Sequence, residues 1–201
     1  MKTTGAVTVF QLVIYLWLIA ITASSVVAGE KEAVLDTNGH PLFAHAPYLV
    51  KIQSPNGTAW ISKYPINTAD LTSCPQRVVS MSDEIVGIYI PIEFILSSDE
   101  DVVRVSTELN IRFPWADECE ESGIWRVADS SLPVKEVVMS GSDSSNDSTF
   151  SIQKSDNGTY KFAFGSADKP KDIGLDVIGH GLWRLILSNN SGFAISFVPA
   201  F

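Results

Sequence analysis

Two cysteines, Cys74 and Cys119, and three histidines, His40, His45 and His180, are the chain's whole stock of thiols and imidazoles. In an oxidising compartment an even pair of cysteines most simply closes one disulfide, worth roughly 4 kcal/mol in the chain-entropy picture. Free thiols or a metal site are the other readings. No CxxC or HxxxH spacing accompanies the pair, so no metal ligand set is assigned. Nucleophilic catalysis has no better support. The chain has no Gly-x-Ser-x-Gly elbow, no P-loop and no dinucleotide fingerprint, and His180 sits in the turn-like Gly179-His180-Gly181. The expectation is a protein that is not an enzyme and carries no cofactor.

The N-terminus places this chemistry outside the cytosol. Lys2 gives a short basic start, and Val9 to Ala23 is an almost unbroken apolar run. Small residues follow at Ser24–Ala28, with Val26 and Ala28 at the −3 and −1 positions of a cleavage point. Residues 1–28 therefore read as a secretory signal peptide and 29–201 as the mature domain. An uncleaved anchor is the rival, since the run approaches the ~20 residues a bilayer requires. The small-residue boundary, with Glu30 and Glu32 behind it, favours cleavage. Losing Lys2 takes the formal charge from −9 to −10, which argues against nucleic acid and anionic membranes as partners. Sequons at Asn56, Asn146, Asn157 and Asn189 fit a secreted glycoprotein, extracellular or vacuolar.

Short β-type runs separated by turn residues fill the rest. They include Tyr48–Ile52, Thr58–Tyr64, Arg77–Met81, Ile85–Phe94, Val102–Thr107, Leu109–Phe113, Gly123–Ala128 and Lys135–Met139, and continue to Phe193–Val198. No stretch of the mature chain holds a helical period of ordinary length. A dozen or so close-spaced strands mean an all-β closed barrel or a sandwich, and pattern alone does not choose. Gly141–Asp147 reads as a mobile surface loop. Trp125 and Trp183 lie in apolar runs and read as core or barrel-closing residues, whereas Trp115 reads as partly exposed.

Residue identities choose the barrel. Val34-Leu35-Asp36-Thr37-Asn38-Gly39-His40-Pro41-Leu42, then Tyr48-Leu49-Val50, resembles the entry signature of the soybean-type Kunitz protease inhibitors. Ser73-Cys74-Pro75 is similar to that family's first half-cystine segment, and Cys119, just before Gly123–Val127, stands where its partner is expected. Val102–Phe113, Tyr160–Phe164, Asp172–Gly174 and Trp183–Ser188 extend the likeness across the mature chain. The resemblance implies a single β-trefoil, a Cys74–Cys119 bridge and a monomeric inhibitor whose partner is a target protease. Two departures stand out. Gly165 follows Phe164 where the family's second disulfide begins, so this is a one-disulfide member. Ala44, beside His45, occupies the place of an Asn whose side chain braces the reactive loop in inhibitory members.

By the resemblance, the reactive loop lies between Ile85–Phe94 and Val102–Thr107, within Phe94–Asp101. The candidates are Phe94, Ile95, Leu96, Ser97 and Ser98, with Leu96 filling the protease pocket and the bond to Ser97 facing the nucleophile. Ile95 and Ser97 are the neighbouring registers. No Lys or Arg occurs between Arg77 and Arg104, so a trypsin-like pocket, which needs a cation, is not served. A serine endopeptidase with an apolar pocket is the favoured target. A serine carboxypeptidase is favoured beside it as a partner. Against this stand an ordinary acidic turn over Ser97–Asp101, another protease class such as a cysteine protease as target through a different loop, and a non-inhibitory storage or ligand-binding role. The Gln-x-Trp repeat of ricin-type trefoils is absent.

Overall fold

The computed structural model describes residues 30–54, 57–67, 69, 74–84, 89–114, 122–128, 134–155, 157–166, 168–179, 181–189 and 192–200. Lys31–Phe201 make one compact unit. The candidate signal segment, Asn56, Trp115, Cys119 and His180 lie outside the described residues.

Period-two burial builds the strands. In β1 (Tyr48–Ser54) Tyr48, Val50 and Ile52 are buried while Leu49 and Lys51 are only half-buried. In β5 (Leu109–Arg112) Leu109 and Ile111 point into the core and Asn110 and Arg112 away from it. Six strands close a barrel. β1 meets β4 (Glu93–Leu96) through the bridge Tyr48↔Ile92 just ahead of it, and β4 pairs with β5. β5 meets β8 (Phe150–Lys154) at Leu109↔Phe150, and β8 pairs with β9 (Tyr160–Phe164). β9 meets β12 (Ile195–Pro199) at Tyr160↔Ile195, and β12 returns to β1.

Three hairpins gather at one end: β2 (Gly57–Pro65) with β3 (Gln76–Ser82), β6 (Arg126–Val127) with β7 (Val137–Val138), and β10 (Lys171–Gly179) with β11 (Leu182–Leu187). They interlock because β3 pairs with both β7 and β11. Each third of the chain thus supplies four strands, and the architecture is a β-trefoil. The barrel is filled by aromatic rings. Phe94 packs edge-on to Phe197 at 5.6 Å, and Trp125 packs against Phe162 at 5.5 Å and Phe113 at 5.7 Å.

The hairpin junction buries charge. Arg77 and Glu136 are 7% and 5% exposed, with Arg77 Nη1 3.4 Å from Glu136 Oε2. Arg184 reaches the same oxygen at 3.8 Å and holds Asp176 at 2.6 Å. Each of the three hairpins therefore contributes to one ionic knot.

Two expectations are revised. Val102–Thr107 is no regular strand: Val102 and Arg104 make isolated bridges to Phe43 and Ala33, and the chain turns at Val105 and Ser106. Its partner is the N-terminal segment, which touches it only at alternate points. The Gly141–Asp147 stretch is internally bonded. Ser145 Oγ donates to Asp147, Ser148 is fully buried, and Asn146–Ser148 form a 3-10 turn.

Candidate functional site

The entry turn folds as its residues dictate. Asp36 Oδ1 accepts from the amides of Asn38 at 2.8 Å and His40 at 2.9 Å, and Gly39 takes φ +82°. Leu35 and Pro41 then pair across the turn, and the returning strand runs beside Val102 and Val103. The signature tyrosine has a defined task. Tyr48, 5% exposed, accepts the Phe43 amide on its hydroxyl at 3.0 Å, fixing the corner that carries Phe43, Ala44 and His45.

That corner grips the candidate loop at both shoulders. The Ala44 amide donates to the Asp101 carbonyl at 2.7 Å, and the His45 amide donates to the Phe94 carbonyl at 2.9 Å. Two successive amides thus bond the two ends of one loop, and His45 at φ +60°, the left-handed region, turns the chain away after them. Outside the clamp, Val103 is fully buried and exchanges backbone bonds with Leu42 and Val34. Arg104 donates to the Lys31 carbonyl at 2.9 Å, and its Nε lies 3.4 Å from Glu100 Oε2. On the other side Arg112 donates from Nε and Nη2 to Glu93 Oε2 at 2.9 and 2.7 Å, locking β4 to β5.

The five candidate residues divide sharply. Phe94 is fully buried against Phe197 and Tyr48, so it belongs to the core and cannot enter another protein's cleft. Ile95 and Leu96 complete β4 opposite Asn110 and Leu109, and both are half-buried. Leu96 packs against the core cluster, because the strand continues to it and period two turns it inward. Ser97 and Ser98 are exposed, as are Asp99, Glu100 and Asp101. Ser97 borders a shallow hollow of about 80 Å³ that also touches Glu108, Asn110 and Asp143. Of the remaining candidates, Asn146, Asn157 and Asn189 are exposed. Cys74 stands exposed just before β3, and no free cysteine occurs among the described residues.

Phe43 was not foreseen. It is 46% exposed although it pairs directly with Val102, so a large apolar side chain flanks the loop. Alternation within the entry hairpin could have pointed to it, since buried Leu42 precedes it.

A model of the legume Kunitz family, described as trypsin and protease inhibitor, matches residues 34–198. The chain belongs to this family. Kunitz trypsin inhibitor 6 of Arabidopsis thaliana is 33% identical over 187 residues, 91% of either chain. An alpha-amylase/subtilisin inhibitor of Oryza sativa subsp. japonica is 30% identical over 180 residues, 85% of this chain and 86% of the relative. Among solved structures, a Kunitz type trypsin inhibitor from Cicer arietinum superposes with a TM-score of 0.70 at 26% identity, covering 85% of this chain and 99% of that one. These Kunitz relatives are inhibitors, not enzymes. Their fold and the clamped β4–β5 loop occur together in this Kunitz chain.

Proposed function

We propose that the protein is a secreted inhibitor of serine endopeptidases, acting through the loop after β4 as an uncleaved substrate mimic. The observation that carries this is the pair of amides from Ala44 and His45, bonded to the two ends of the segment Phe94–Asp101. A loop ordered in advance loses little conformational entropy on binding, so few contacts give tight association. The bracing that Ala44 cannot supply from its side chain is replaced here by its main chain.

The pocket-filling role passes from Leu96 to the serines. Leu96 anchors the loop on the core, and Ser97 and Ser98 are the candidates free to enter a cleft. A small uncharged side chain suits subtilisin- or elastase-like enzymes. The absence of Lys and Arg from the loop argues against trypsin, and the 30% identical relative is named for subtilisin. Asp99, Glu100 and Asp101 lie beside the serines, so the target's rim must be basic or open to water, since buried unpaired carboxylates are costly. The Cys74–Cys119 bridge, the signal peptide and glycans on the exposed sequons belong to the same proposal. The test is a progress-curve assay against subtilisin, elastase, chymotrypsin and trypsin. Tight one-to-one inhibition of subtilisin or elastase is expected. Inhibition of trypsin alone would overturn the specificity.

A further inference from the structure

At the other end of β1 from the clamped loop, four neighbouring strands place one residue each in a single row. Ile61 pairs with Ser80, Ser80 with Trp183, and Trp183 with Val177. The adjoining row sets Ile52 opposite Ala59 and Ala59 opposite Ser82. Over these rows lies a cavity of about 290 Å³, lined by Ile52, Ala59, Ser80, Leu175, Val177 and Trp183, with Gly57, Thr58 and Ser82 also touching it. No Lys, Arg, Asp or Glu is among these residues. The volume stands at the lower end of the range typical of small-molecule sites.

Two features point to an occupant. Ser80 is fully buried, lines the cavity, and its hydroxyl has no hydrogen-bond partner among the described residues. Buried hydroxyls are nearly always satisfied, and Ser80 shares its strand row with the lining residues Trp183 and Val177, so the cavity is the side from which a polar atom could be supplied. Val177, by contrast, is 66% exposed at the same cavity, a β-branched strand residue left uncovered. The lining therefore offers apolar walls, one indole and a single buried hydroxyl able both to donate and to accept.

We propose that this cavity binds a small, uncharged, largely apolar molecule carrying one hydroxyl or carbonyl group. Ser80 bonds that group, and Trp183, Leu175 and Ile52 cover the apolar body. An anion or cation is disfavoured because nothing in the lining neutralises it. The site is separate from the protease loop and stands whether or not that loop inhibits.

The test is titration of the ¹⁵N-labelled protein with p-cresol, toluene and p-toluate, followed by NMR. p-Cresol is expected to shift the Ser80, Leu175 and Val177 amides and the Trp183 indole in one saturable step. Toluene is expected to shift the same resonances roughly fivefold more weakly, the loss of one hydrogen bond, and p-toluate to shift none. Ser80→Ala reduces p-cresol to the level of toluene, and Ser80→Leu, which fills the void, abolishes both. Non-saturable shifts, shifts mapping elsewhere, or an undiminished preference for p-cresol in Ser80→Ala would each overturn the proposal. Wild-type mapping decides the matter even if Ser80→Leu fails to fold.

Discussion

The amide of Ala44 lies 2.7 Å from the carbonyl of Asp101, although 57 positions separate them in the chain. Beside it, His45 makes the matching bond to Phe94. The loop between is therefore held by a backbone fork, and the fork is held in turn by Tyr48 through Phe43. Neither bond uses a side chain, so the alanine at position 44 leaves the fork intact.

Ala44→Pro deletes one tine of the fork and removes no side-chain contact of note. Inhibition constants are expected to rise at least tenfold, with faster cleavage after Leu96 to Asp99 seen by mass spectrometry. His45→Val, a β-branched residue forced to φ +60°, should lower stability by about 1–2 kcal/mol in urea titrations. His45→Gly should not lower it.

An arginine scan across the loop locates the pocket-filling position. Ser97→Arg or Ser98→Arg is expected to create measurable trypsin inhibition with unchanged melting temperature, since both sites are exposed. Leu96→Arg should lower the melting temperature and give none, because it pulls an anchor from the core. Phe94→Ala serves as the core control, costing about 3–5 kcal/mol. Trypsin inhibition from Leu96→Arg alone would restore Leu96 to the pocket.

Glu136 is the anion shared by Arg77 and Arg184 at the hairpin junction. Removing its charge strands the buried Arg77, whereas Arg184 keeps Asp176 at 2.6 Å. Glu136→Gln is expected to cost about 3 kcal/mol by chemical denaturation. Loss should be much smaller for Lys154→Gln, whose partner Glu32 is exposed at the surface.

Gly141 begins the serine-rich segment under a tight roof. A Cβ there would lie 2.5 Å from Ser148 Oγ and 2.8 Å from the Trp125 carbonyl. Gly141→Ala is expected to destabilise by about 1–3 kcal/mol, read from thermal melts. A neutral result would mean that the segment is free to move away.

What was legible in the chain was local. The Asp36–Gly39 turn and the alternation of Tyr48–Ile52 depend on neighbours, so their residues declare them. The threefold symmetry was not legible. Tyr48, Leu109 and Tyr160 occupy equivalent places opposite Ile92, Phe150 and Ile195, yet their flanks share only apolar alternation. Ile61, Ser80, Trp183 and Val177 form a row only because strands far apart in sequence pair, so neither the cavity nor the orphaned Ser80 hydroxyl could be read in advance. Trp183 read as core or barrel-closing from its apolar run, and it stands half-buried at the cavity wall. Leu96 read as an exposed loop residue because strand ends are the least defined by pattern, and one more ladder pair with Leu109 turned it inward. The burial of Arg77 with Glu136 was not legible either, since only the meeting of three hairpins brings them together.

The most direct test of the central claim is a time course of the intact protein with catalytic and equimolar subtilisin, measuring residual activity and chain mass together. A clamped substrate mimic is expected to hold the enzyme inhibited one-to-one for hours, with most of the chain uncut. Complete cleavage within Leu96–Asp101 accompanied by full enzyme activity would show that the fork does not hold the loop, and would contradict the account.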